Sequence, residues 1–132
     1  MTRLNQRIEN FNKAFNIFSL SVDAYISNKE NVVMHMALIQ SFEICFELSW
    51  KVLKDYLKEQ KGIIALSPKD AIKEAFSVEL IKNGQLWVDM LQDRNTSSHE
   101  YNIDKIDNIL NSISTIYYNE LKEFKKWLDN VK

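Results

Sequence analysis

The side chains best equipped for chemistry stand together in one stretch: Arg94, Asn95, Thr96, Ser97, Ser98, His99, Glu100 and Tyr101. Arg94 is the only arginine after Arg7; between and beyond them the chain uses lysine for positive charge. A guanidinium differs from an ammonium in holding a carboxylate or phosphate with a planar fork of donors. His99 brings an imidazole whose unperturbed pKa of about 6.5 lets it move protons near neutrality. Tyr101 brings a phenol that can accept an electrophilic group once deprotonated. A cation, a base and a nucleophilic hydroxyl are what phosphoryl or nucleotidyl chemistry needs. On an unbroken helix Arg94 and His99 would diverge by about 140°. They meet at one ligand only through a bend or through a second subunit.

Two carboxylates are candidates to partner the guanidinium. Glu43 and Glu47 lie one helical turn apart in a strongly apolar stretch. At 100° per residue Glu43 falls inside the apolar sector and Glu47 on its edge. Buried carboxylates are costly unless paired or hydrogen-bonded. Either they lie at a helix–helix boundary and reach solvent, or they hold a cation in place. Arg94, continuing the inward stripe of Trp87, Met90 and Leu91, is the cation that fits. A pair that simply fixes helix packing is the competing reading.

The elements that would carry these residues are helices. Leu4, Ile8, Phe11, Phe15, Phe18, Val22 and Tyr25 alternate steps of three and four, the mark of one helical face. A second and longest helix spans about Glu30 to Lys61, with Ile39, Phe42, Phe46, Trp50, Leu53 and Leu57 inward and Gly62 as its terminator. Ser67 and Pro68 announce a third helix as N-cap and first helical residue. Its apolar side is Ala71, Ile72, Ala75, Phe76 and Leu80, and Asn83-Gly84 ends it. A fourth runs from about Gln85 to Ser97, and fraying or a bend is expected over Asn95 to Asn102. The last, about Ile103 to Val131, turns Ile106, Leu110, Ile113, Tyr117, Leu121, Phe124 and Leu128 inward. The expected fold is all-α: an antiparallel up-and-down bundle of four long helices plus one short one, as a single domain over residues 1–132.

Composition agrees and excludes other classes. Hydrophobic residues make up 45% and charged residues 27%, a globular balance, and only two Gly and one Pro leave few tight turns for a sheet. No apolar run approaches the roughly 20 residues needed to span a bilayer, and no signal peptide opens the chain. With a single cysteine, Cys45, this makes the cytoplasm the expected compartment and a membrane no partner. The net charge of −1 is unpromising for a stand-alone nucleic-acid binder. Lys51, Lys54, Lys58 and Lys61, on one side of the second helix, could guide a phosphate backbone, although cations at a helix C-terminus also complement its dipole. His35 and Cys45 lack zinc-ligand spacing, and no Gly-rich phosphate loop occurs, so neither metal nor cofactor is expected.

The octet, read as Arg-x4-His-x-Tyr with Asn after the Arg, resembles the signature of HEPN domains, particularly the HepT-like toxins. The segment from Gln40 to Lys51, with its Phe-Glu-x3-Glu-x2-Trp pattern, is similar to the second-helix signature of nucleotidyltransferase substrate-binding proteins, a branch of the same superfamily. Ala75-Phe76, Gly84, Trp87 and the helix order extend the likeness over roughly residues 4 to 128. It implies a helical bundle, commonly a homodimer, encoded beside a minimal nucleotidyltransferase. It also implies Arg94 and His99 as catalytic residues of a metal-independent ribonuclease at the dimer interface. Asn95 belongs to the same motif, and Tyr101 is the tyrosine the partner adenylylates. Glu43, Glu47 and Trp50 join the binding residues.

Three readings follow. In the first, the chain is the substrate-binding or target subunit of a minimal nucleotidyltransferase, in a HEPN/nucleotidyltransferase toxin–antitoxin pair. In the second, it is an enzyme, a metal-free endoribonuclease: His99 takes the 2′-hydroxyl proton of RNA and Arg94 neutralises the nonbridging phosphate oxygens. In the third, the motif only stabilises an adaptor bundle.

Overall fold

The computed structural model describes residues 2–97 and 103–131, the side chains of residues 103–105 excepted. Capping sets the helix boundaries. Thr2 Oγ1 accepts the Asn5 N–H at 3.1 Å and opens α1 (Arg3–Ser27). The Asn31 side chain accepts from Val33 and Met34 at 2.9 and 3.3 Å and opens α2 (Val32–Lys61). Gly62 closes α2 at φ 67°, a left-handed conformation that costs glycine nothing. Ser67 caps α3 (Pro68–Ser77), with Pro68 in its first turn as the sequence suggests.

The next boundary differs from expectation. α3 stops at Ser77, Glu79 adopts φ 65°, and the Leu80 N–H turns back to the Ala75 carbonyl at 2.8 Å. Asn83 therefore does not close the third helix. Its side chain accepts the Leu86 N–H at 3.1 Å and its carbonyl the Trp87 N–H at 3.3 Å, which makes it the cap of α4 (Gly84–Ser97). A Cβ on Gly84 would stand 3.1 Å from the Phe76 ring, so the glycine serves close approach. Phe76, expected inward, is 52% exposed. Asn83→Ala should cost about 1 kcal/mol in urea unfolding. An unchanged midpoint would contradict this capping role.

The last rod consists of α5 (Ile103–Ser112), a π-helical turn (Ile113–Tyr117) and α6 (Tyr118–Val131). The sequence pattern anticipates the rod but not the π-turn. The turn takes up one extra residue inside the rod, as single-turn π-bulges do, and the two consecutive tyrosines at its end, about 100° apart, face different neighbours. Tyr117 stacks on Phe42 of α2 at 5.5 Å, while Tyr118 stacks on Phe15 of α1 at 5.7 Å and meets the Ser19 hydroxyl at 2.8 Å.

Contacts between helix ends give the topology. Arg7 near the start of α1 bonds Asp55 near the end of α2, while Tyr25 near the end of α1 meets His35 near the start of α2. α4 runs antiparallel to the last rod, since Trp87 Nε1 donates to Glu120 at 3.0 Å and Asp93 accepts from Tyr117. The result is the up-and-down bundle that the patterns predict, with the short α3 between the second and third long rods. No strand occurs among the described residues. Phe11, Phe18, Phe42, Phe46 and Trp87 are fully buried at its centre. α2 taken whole is long and apolar enough to cross a membrane by length and composition, which run-length counting missed. Here its Leu38, Phe42, Phe46, Leu53 and Leu57 close the core instead.

Candidate functional site

The end of α4 meets the middle of α2 through polar contacts. Arg94 Nη2 donates to Glu47 Oε2 at 2.9 Å, so the carboxylate anticipated from the stripe geometry is the guanidinium's partner. The same oxygen accepts the Trp50 indole N–H at 3.0 Å, and Lys51 Nζ stands 3.5 Å from Glu47 Oε1. One carboxylate thus gathers an indole, an ammonium and a guanidinium, and its orientation is fixed from both helices. Glu43 accepts from the Ser97 hydroxyl at 3.3 Å. Arg94 Nη1 also reaches the Asn95 side-chain oxygen at 3.3 Å.

Both sequence readings of the glutamates hold in part. Glu43 and Glu47 are half-buried at a helix boundary, and they also hold groups of α4 in place. The Arg94 and Glu47 side chains keep 32% and 30% of their surface. A pair this open is worth little in stability, because water screens it. That openness also leaves the guanidinium within reach of a competing anion. Glu43, Ile44, Glu47, Leu48 and Arg94 border an open hollow of about 380 Å³. Val33, Met36 and Ile44, exposed by 66%, 66% and 49%, continue the hollow's side of α2 as an apolar stripe.

Of the residues singled out in the sequence, Arg94, Glu43, Glu47, Trp50 and Asn95 come together here. His99 and Tyr101 lie outside the described residues. Sequence reasoning passed over Ser97 as the partner of Glu43. It also passed over a contact on the other side of α4: the Tyr117 hydroxyl donates to Asp93 Oδ2. The signal was present, because a tyrosine in a core stripe must still satisfy its hydroxyl. Burial first, and then the bond to Asp93, push the Tyr117 phenol above the ordinary tyrosine range, so it stays protonated and donates. Burial likewise pushes the Cys45 thiol up, which suits an inert packing residue.

Comparison with known proteins gives this arrangement a context. Residues 6–130 match the family described as nucleotidyltransferase substrate binding protein like. A Haemophilus influenzae protein described as a probable ribonuclease HepT is 37% identical over 71 residues, 51% of this chain. The match spans about half of that relative, 49% of its length. A crystal structure from Thermus thermophilus superposes with a TM-score of 0.76 at 30% identity, covering 87% of this chain and 94% of that one. The tri-AMPylated HEPN toxin of Shewanella oneidensis, solved in complex with its MNT antitoxin, shares the fold with a TM-score of 0.77. Its identity is 14%, with 98% of this chain and 99% of that one covered.

Proposed function

Because the chain belongs to the nucleotidyltransferase substrate binding protein-like family, within the HEPN/HepT-like group, we propose that it is the partner subunit of a minimal nucleotidyltransferase. The observation that carries the reading is the family match over nearly the whole chain, joined to an arginine displayed at an open hollow. The Shewanella oneidensis HEPN toxin, AMPylated and complexed with an MNT antitoxin, supports the same kind of partner here. In this reading Tyr101 accepts the nucleotidyl group: its phenolate oxygen attacks the α-phosphorus of ATP, pyrophosphate leaves, and the phenol proton passes to solvent or a base. The apolar stripe of α2 supports a homodimer, in which two copies of the Arg94 hollow would share one seam.

Two experiments test it. Affinity purification from the native organism should recover a small nucleotidyltransferase, encoded next to this gene and carrying a Gly-Ser-x10-Asp-x-Asp signature. Incubated with that enzyme and α-labelled ATP, the chain should take up label, and Tyr101→Phe should lose it. Failure to recover such an enzyme, together with no labelling of the parent chain, would end the proposal.

The second reading, a metal-independent endoribonuclease using Arg94 and His99, is favoured by one specific feature. Arg94 is held in place yet a third exposed, as a group waiting for a phosphate must be. The two readings are compatible, since a nucleotidylated toxin is a silenced one.

A further inference from the structure

The geometry points to Tyr117 as a residue that positions Arg94 from the far side of α4, beyond its direct partner Glu47. Apolar burial weakens along α4 toward its end. Trp87 and Met90 are the buried residues of that helix, and beyond Met90 no described residue of α4 is buried. Leu91 still packs against the core, and polar contacts on both sides of the turn join it in setting the rotation. On one side Arg94 and Ser97 reach Glu47 and Glu43 of α2. On the other, Asp93 accepts from Tyr117.

Neighbouring residues on a helix point about 100° apart. A turn tied at Asp93 is thus fixed in the rotation that carries Arg94 to Glu47. Tyr117 is a rigid post for this purpose: it is 4% exposed, stacked on Phe42 with the ring planes 17° apart, and seated at the end of the π-turn. Asp93 and Asp89 both face it from α4, so a phenolate there would be repelled and the donor is kept. Tyr117 touches nothing in the hollow and is a positioning residue. A misplacement of about 1 Å in such a group costs on the order of 100-fold in rate.

This inference rests on the Arg94 hollow being the functional site, so its test is independent of any activity. The chain has three arginines, Arg3, Arg7 and Arg94, and ¹⁵N-arginine labelling with an Arg94→Lys control identifies the Arg94 side-chain signals. In Tyr117→Phe, which keeps the ring and loses the hydroxyl, Arg94 N–H exchange with water should quicken by about tenfold. Arg7, tied to Asp55 elsewhere in the bundle, should not change. Asp93→Asn keeps an acceptor oxygen and should behave as the parent; Asp93→Ala should behave as Tyr117→Phe. Unchanged Arg94 exchange in both Tyr117→Phe and Asp93→Ala would overturn the inference. So would equal quickening of Arg7, which would mean general loosening. RNA cleavage by the same proteins reads the other question: a parent that cleaves nothing sinks the ribonuclease reading and leaves the exchange result to decide this one.

Discussion

Arg94→Ala is expected to lower RNA cleavage by about 10²–10³-fold, the usual loss when a donor to developing transition-state charge is removed. Its stability should change by no more than about 1 kcal/mol, because the Arg94–Glu47 pair is roughly a third exposed and water already screens it. The combination is diagnostic. A packing residue would show the reverse, a large loss of stability with activity per folded molecule unchanged. Arg94→Lys refines the result: it keeps the charge and loses the fork, so its activity should stay well below the parent if a phosphate is held by two parallel bonds. Full cleavage by Arg94→Ala would remove the site from consideration. Full cleavage by His99→Ala would remove the proposed base.

The second large effect concerns stability. Asp55 is 6% exposed and accepts from Arg7 Nε at 3.0 Å, with Arg3 Nε 3.6 Å away. This ties the start of α1 to the end of α2. Asp55→Ala would leave the Arg7 guanidinium, its side chain 22% exposed, half-buried without its carboxylate. Losing one partner of a buried pair costs about 3–5 kcal/mol, and the water that reaches Arg7 places the expected value near the lower end. In a domain of this size that is a fall of about 10 °C in Tm. Arg3→Ala should cost under about 1 kcal/mol, since Arg3 is 70% exposed. Urea unfolding of the two variants reads the difference. Near-equal midpoints would show that Asp55 is satisfied mainly by solvent.

Much of this bundle could be read from periodicity, and the failures have identifiable causes. Every residue named as inward on α1 is buried, with Ala14 alone passed over, because a long amphipathic helix repeats its signal over many turns. The Arg94–Glu47 contact was legible for a related reason: two charges interrupting apolar stripes on different helices must answer one another. Asn83 was misplaced because Asn favours both N-caps and left-handed C-caps, and only the hydrogen bonds decide between them. The Arg7–Asp55 tie joins residues far apart in the chain, and no local pattern announces it. Tyr117 looked like one more core aromatic. Its partner became visible only once the π-turn fixed the phase of the last rod against α4.

That turn also sets how the gene can change. Deleting one residue from the regular parts of the rod would swing one half against the other by about 100°, whereas deleting one between Ile113 and Tyr117 would close the wide turn to a regular α-helix and leave α5 and α6 nearly in phase. In natural variants of this chain, a one-residue deletion should therefore fall within these five positions and not elsewhere along the rod.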